Sequence, residues 1–125
     1  MTNLPERSIP ALKALILECL DDMKAQKVEQ LEVAELCNFA ETMFVCTGTS
    51  RRHVQSIAEH LVEQVKHRGF FKQGVEGLEL GEWVLVDLGE VLVHVMQQEA
   101  REYYDIEKLW FTIPSTRLQP PVTEN

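Results

Sequence analysis

The sequence predicts a single α/β domain that carries a β-hairpin near its C-terminal end, followed by a helix. Three observations lead there. Two apolar stripes recur at helical spacing, one from Leu12 to Met23 and one from Val54 to Val65. Short β-branched runs lie between and after them. The last two runs, Trp83–Leu88 and Val91–Met96, are separated by Gly89 and Glu90 alone.

In chain order, residues 1–8 are polar, contain Pro5 and read as a flexible leader. Ser8 is placed to cap a first helix, with Pro10 in its first turn. Leu12, Leu15, Ile16, Cys19, Leu20 and Met23 carry that helix from about 9 to 25. Val28, Leu31 and Val33 mark a short strand, and residues 34–40 connect it to the buried strand Thr42–Thr47. Gly48 breaks the chain, and Ser50 caps a second helix with its stripe on Val54, Ile57, Ala58, Leu61, Val62 and Val65. Gly69 ends it as the left-handed C′ residue. Val75 and Glu76, between Gly74 and Gly77, fit a short edge strand. After the hairpin a last helix is expected over 98–110, and residues 112–125 are expected to form a disordered tail. Residues 9–111 therefore form the one folded domain.

Totals bound the function. The chain has 125 residues, is 45% hydrophobic and 26% charged, and carries a formal net charge of −8. That composition suits one globular core. The acidic balance repels phosphate backbones, so little direct nucleic-acid contact is expected, and a basic protein partner is favoured. The three cysteines, Cys19, Cys37 and Cys46, form no C-x-x-C pair and are odd in number. They indicate free thiols in a reducing compartment rather than a disulfide or zinc framework. No apolar run approaches the roughly 20 residues that span a bilayer, which leaves a cytoplasmic location and no membrane partner as the expectation.

A two-residue turn with Gly first suits a type II′ hairpin and fixes the register. Leu88 then faces Val91, Val86 faces Val93, and Val84 faces Val95, which makes one aliphatic face that must be core. The other face sets Trp83 opposite Met96, Leu85 opposite His94 and Asp87 opposite Leu92. Two readings of it are open: the centre of a recognition surface, or a second core face covered by helices. In the last helix Tyr103, Ile106 and Trp110 form the apolar stripe, Tyr104 sits on its flank, and Glu99 and Glu107 lie on or beside it. Arg101 and Asp105 are an i,i+4 pair expected on the solvent side.

Signs of chemistry are weaker. Thr47-Gly48-Thr49-Ser50 runs from a strand into a helix N-terminus, where backbone N–H groups can hold an anion, but it lacks both glycine-rich phosphate patterns. His53, His60 and His67 repeat every seven residues along a line expected to be solvated, without metal-ligand spacing. Asp87 has no second carboxylate at residue 85 to share metals with. Cys46 with His94 lacks a nucleophile context, and a core cysteine is the plainer reading.

Taken in order, Cys46-Thr47-Gly48-Thr49-Ser50, Arg52-His53-Val54, Val75-Glu76-Gly77, Trp83–Gly89, Val93-His94-Val95 and Arg101-x-x-Tyr104-x-x-Glu107-x-x-Trp110 resemble the ribosomal silencing factor family, also called Iojap-like. The resemblance covers residues 9–111. It implies a mixed β-sheet with flanking helices, of nucleotidyltransferase-like topology, without that catalysis, cofactor or metal. It implies binding to the large ribosomal subunit through its protein number fourteen, a steric block to subunit joining, lower translation under nutrient limitation, and a homodimer when free. By position it gives a partner-binding role to Trp83, Asp87, His94, Met96, Arg101, Tyr104, Glu107 and Trp110. Families of this type commonly carry aspartate where this chain has Glu32 and Glu41. The alternative is a nucleotidyltransferase-like enzyme that uses Asp87 and holds a nucleotide at Thr47–Ser50.

Overall fold

The computed structural model describes residues 8–36, 40–70 and 74–109. Residues 1–7 of the expected leader 1–8, the expected tail 112–125 and Trp110 lie outside the described residues. Among the described residues nine elements follow one another: α1 (Ile9–Asp22), β1 (Gln26–Glu32), β2 (Thr42–Gly48), α2 (Arg51–His67), β3 (Gly74–Glu76), β4 (Trp83–Asp87), β5 (Val91–Gln97), α3 (Gln98–Tyr104) and α4 (Ile106–Leu109).

Both long helices start and stop by the same devices. The Ser8 side chain accepts from the Ala11 N–H, and the Ser50 side chain accepts from the His53 N–H. At the end of α2, Gly69 takes φ 85° while Phe70 N–H and Gly69 N–H return to the Val65 and Lys66 carbonyls. This is the paired-bond ending that a left-handed residue permits. The first helix stops three residues short of the expected 25 because Lys24, at φ 58°, makes the same ending without glycine. Ala25 N–H bonds to the Leu20 carbonyl and Lys24 N–H to that of Asp21.

The sheet is five-stranded, in the order β1-β2-β5-β4-β3. Only β2 and β5 run parallel; the other neighbours are antiparallel, so the sheet is mixed. The hairpin register is the expected one, from Trp83 opposite Met96 to Asp87 opposite Leu92. Gly89 sits at φ 89°, Glu90 keeps negative φ, and Leu88 N–H bonds to the Val91 carbonyl, which agrees with a type II′ turn. On β1 the register slips between Gln26 and Glu29, where Lys27 adopts φ 50°. Such a bulge with charged neighbours blunts an edge strand.

Each face of the sheet buries its own apolar cluster. On the first, all six hairpin aliphatics join Phe44 and Cys46 beneath α1 and α2. On the second, Trp83, Leu85, Leu92 and Met96 join Met43, Val45 and Ile106, with Ala100 and Tyr104 packed at the margin. Of the two readings of the Trp83 face, the covered one holds. The cover comes from the chain that follows β5 and from Val33, Leu36 and Ala40 between β1 and β2. Lys13 ties α1 to both glutamates, at 3.5 Å from Glu32 and 3.3 Å from Glu41. Glu32 also accepts from the Thr42 hydroxyl at 2.9 Å.

Candidate functional site

The second face is organised around one buried polar bond. Trp83 is 4% exposed and donates its indole N–H to His94 Nδ1 at 2.8 Å. Because Nδ1 accepts, the His94 proton sits on Nε2. Tyr104 closes over Trp83, with ring centroids 4.7 Å apart, and Met96 lies buried beside them. Trp83, His94 and Met96 are therefore core side chains rather than the centre of an open surface. The periodicity of a hairpin says that a face is apolar; it does not say what later segment covers it. Asp87 stands at the far end of the hairpin, half-buried, and accepts from the Gly89 N–H at 2.9 Å. It shapes the turn.

The last helix is two pieces. Asp105 takes a left-handed conformation at φ 49°, its N–H bonded to the Arg101 carbonyl, and α4 starts in a new direction. The break corrects the single helix expected over 98–110, and it changes two assignments. In an unbroken helix, residues six apart lie about 120° apart around the axis. The break instead brings Glu107 back to Arg101, which bonds its carboxylate through Nη2 at 2.8 Å and Nε at 3.1 Å. Arg101 is thus no solvated partner of Asp105. It is 9% exposed, and its Nη1 also donates to the Lys27 carbonyl at 2.7 Å and the Thr47 hydroxyl at 2.9 Å. Ile106, fully buried, plugs the second cluster from α4.

Tyr103, on α3 ahead of the break, points outward. It is 83% exposed, not part of an apolar stripe, and its ring stands edge-on to Tyr104 at 5.0 Å. A cleft of about 360 Å³ lies beside it, lined by Glu82, Gln97, Glu99, Ala100, Tyr103 and Tyr104. Glu82 and Glu99 are exposed and line that cleft with the ring, and Glu102, the residue before Tyr103, is exposed as well. An uninterrupted helix over 98–110 puts Tyr103 on one stripe with Ile106, whereas here Tyr103 is exposed and Ile106 buried. The signal for the break was available in Asp105, one of the few residue types that accept the left-handed conformation.

The chemical alternatives find little support in the geometry. At the turn after β2, Thr49 N–H is already bonded to His53 Nδ1 at 2.8 Å, and the Thr47 hydroxyl is taken by Arg101. The Ser50 cap occupies the His53 N–H. The Thr49 and His53 N–H groups and the Thr47 hydroxyl are thus engaged within the protein. The expected solvated line of histidines is also partly engaged, since His53 Nε2 donates to the Met23 carbonyl at 2.8 Å and fastens α2 to the end of α1. Cys46 faces the first cluster and His94 the second, so they form no pair. Burial pushes the Cys46 thiol up to about 12, against the pull of the Arg101 charge. Burial, with the Asp22 and Glu18 charges, pushes Cys19 up to about 11. Both are poor nucleophiles. Among the described residues, no three His, Cys, Asp or Glu side chains converge to hold a metal ion, and no helix is long and apolar enough to cross a membrane.

Comparison with known proteins places this fold. The chain is similar to the Ribosomal silencing factor RsfS of Haemophilus influenzae, 40% identical over 100 residues that cover 80% of this chain and 98% of the relative. A crystal structure of a protein from Chromobacterium violaceum superposes with a TM-score of 0.81 at 38% identity, covering 93% of this chain and 94% of that one. A mouse protein named "Mitochondrial assembly of ribosomal large subunit protein 1" is 29% identical over 99 residues, which span 77% of this chain and 43% of the mouse protein. The family described as "Ribosomal silencing factor during starvation" matches residues 6–125. With nearly the whole sequence matched and the same mixed sheet present, the chain belongs to the ribosomal silencing factor family.

Proposed function

We propose that this chain acts in the cytoplasm, binds the large ribosomal subunit through its protein number fourteen, and blocks joining of the small subunit by occupying the surface between them. Translation falls as a result, under nutrient limitation, without catalysis and with little direct nucleic-acid contact. The observation that carries this reading is the exposed Tyr103 ring beside Glu82 and Glu99 in a surface cleft, with exposed Glu102 next to it in sequence. An aromatic anchor beside carboxylates suits a basic protein surface, and the chain's net charge of −8 favours such an encounter. The large-subunit name of the mouse relative supports the same partner.

In this reading Tyr103 and the glutamates touch the partner. Trp83, His94, Met96 and Tyr104 hold the surface from beneath, and Asp87 shapes the hairpin turn. Purified protein is expected to pellet with isolated large subunits and to reduce formation of whole ribosomes in a gradient. Unchanged subunit joining at saturating protein rejects the reading. The free chain is further proposed to be a homodimer. Since the Trp83–Met96 face is covered, pairing has to use another surface, and light scattering across a dilution series tests for it.

A further inference from the structure

Arg101 is held more heavily than packing alone requires. Its guanidinium joins β1, β2, α3 and α4 through the Lys27 carbonyl, the Thr47 hydroxyl and the Glu107 carboxylate. Burying such a group is costly, and an apolar side chain of similar size often serves stability as well or better. Three non-glycine residues among those described have positive φ, and two of them bond to Arg101: the Lys27 carbonyl accepts from its guanidinium, and the Asp105 N–H donates to its backbone carbonyl. Backbone strain gathered at one place points to a requirement beyond stability. Arg101 and Tyr103 are two residues apart on α3, so they project to roughly opposite sides of the helix. One is nearly buried and the other is 83% exposed.

We propose that Arg101 is a positioning residue for partner docking: its three-way anchorage sets the rotation of α3 and the corner at Asp105, and thereby the direction in which Tyr103 meets a basic protein. The proposal rests on the reading of the Tyr103 surface as the docking face. Its mechanism is preorganisation. A loosened α3–α4 corner has to be ordered again on binding, which weakens affinity without removing any contact.

The test uses the full chain and isolated large subunits, with Arg101→Lys, Glu107→Gln, Tyr103→Ala and the double variant Arg101→Lys/Tyr103→Ala. Arg101→Lys keeps the charge but not the fork that reaches three acceptors. It is expected to weaken binding about tenfold, to speed amide exchange over 98–109, and to leave exchange in β4 and β5 unchanged. Glu107→Gln, at the partly exposed rim, gives a smaller change of the same kind and serves if Arg101→Lys fails to fold. The double variant binds no worse than Tyr103→Ala alone, because Arg101 acts through Tyr103. Wild-type affinity in Arg101→Lys, or losses that add in the double variant, overturns the positioning role while leaving the docking surface intact. Wild-type affinity in Tyr103→Ala rejects the docking surface itself, and no binding by the unaltered chain rejects the partner.

Discussion

The bond between Trp83 and His94 makes a prediction that can be worked through in numbers. Replacing Trp83 by Phe keeps an aromatic ring but removes the N–H and part of the ring system. His94 Nδ1 then loses its donor inside a fully buried environment. An orphaned buried acceptor costs ~1–3 kcal/mol, and the void adds ~1 kcal/mol more. Trp83→Phe should therefore cost about 2–4 kcal/mol, a fall in Tm of about 8–16 °C at roughly 4 °C per kcal/mol for a domain of this size. His94→Leu strands the indole N–H instead, at a similar ~1–3 kcal/mol. In the double variant neither group is left without its partner. The two losses should then fall short of adding by both orphan costs together, about 2–6 kcal/mol. Urea titration of the four proteins gives that difference directly. Losses that add within ~0.5 kcal/mol, or Trp83 emission freely quenched by acrylamide in a Trp110→Phe background, would refute the placement of this pair in the core.

Three further outcomes follow from local geometry. Asp105→Val puts a β-branched residue at φ 49° and should cost ~1–2 kcal/mol by thermal melting, whereas Asp105→Gly should cost nothing, because glycine accepts that conformation. Gly48→Ala would set a Cβ 2.7 Å from Val54 Cγ2, so it should cost ~1–3 kcal/mol, and Val54→Ala in the same chain should recover part of the loss. The Gln30 amide foremost, then the Thr42 hydroxyl and Lys13, holds the Glu32 carboxyl below its usual 4.5. Because folding lowers this pKa, the contribution is present above 4.5 and disappears as the pH falls through the depressed value. Glu32 is 56% exposed at the side chain, so Glu32→Gln should cost less than ~1 kcal/mol at pH 7, and its urea midpoint should rejoin the parent's in acid.

Local signals in this sequence translated well into structure. Ser8, Ser50 and Gly69 mark helix ends because capping is settled within a few residues, and the two-residue turn at Gly89 dictates the entire pairing of β4 with β5. What periodicity missed was decided at a distance. Whether Trp83 is surface or core depends on Tyr104, at the end of α3, and on Ile106, which joins the same cluster from beyond the break at Asp105. The role of Arg101 depends on Lys27 and Thr47, on strands far away in sequence. An i,i+4 rule applied to Arg101 and Asp105 fails for the same reason, since it presumes a helix that the left-handed residue has already ended. Lys24 shows the limit from the other side: a lysine does what glycine does at Gly69, and no propensity scale would nominate it.

The parallel contact at the middle of the sheet has a consequence for how the molecule comes together in time. Thr42 pairs with Val91 and Gly48 with Gln97, so β2 waits for its inner neighbour until most of the domain has been made. Closing so long a loop is entropically slow. The β4–β5 hairpin, joined by two residues, has no such delay, and it brings with it both the aliphatic face for α1 and α2 and the indole face for Ile106. Assembly then has a natural order, in which a late hairpin arrives ready-made and the earlier elements condense onto it. A chain synthesised from its N-terminus therefore holds the β1–β2 pair without its inner neighbour until β5 appears, and both apolar clusters close together once the hairpin is made rather than one after the other.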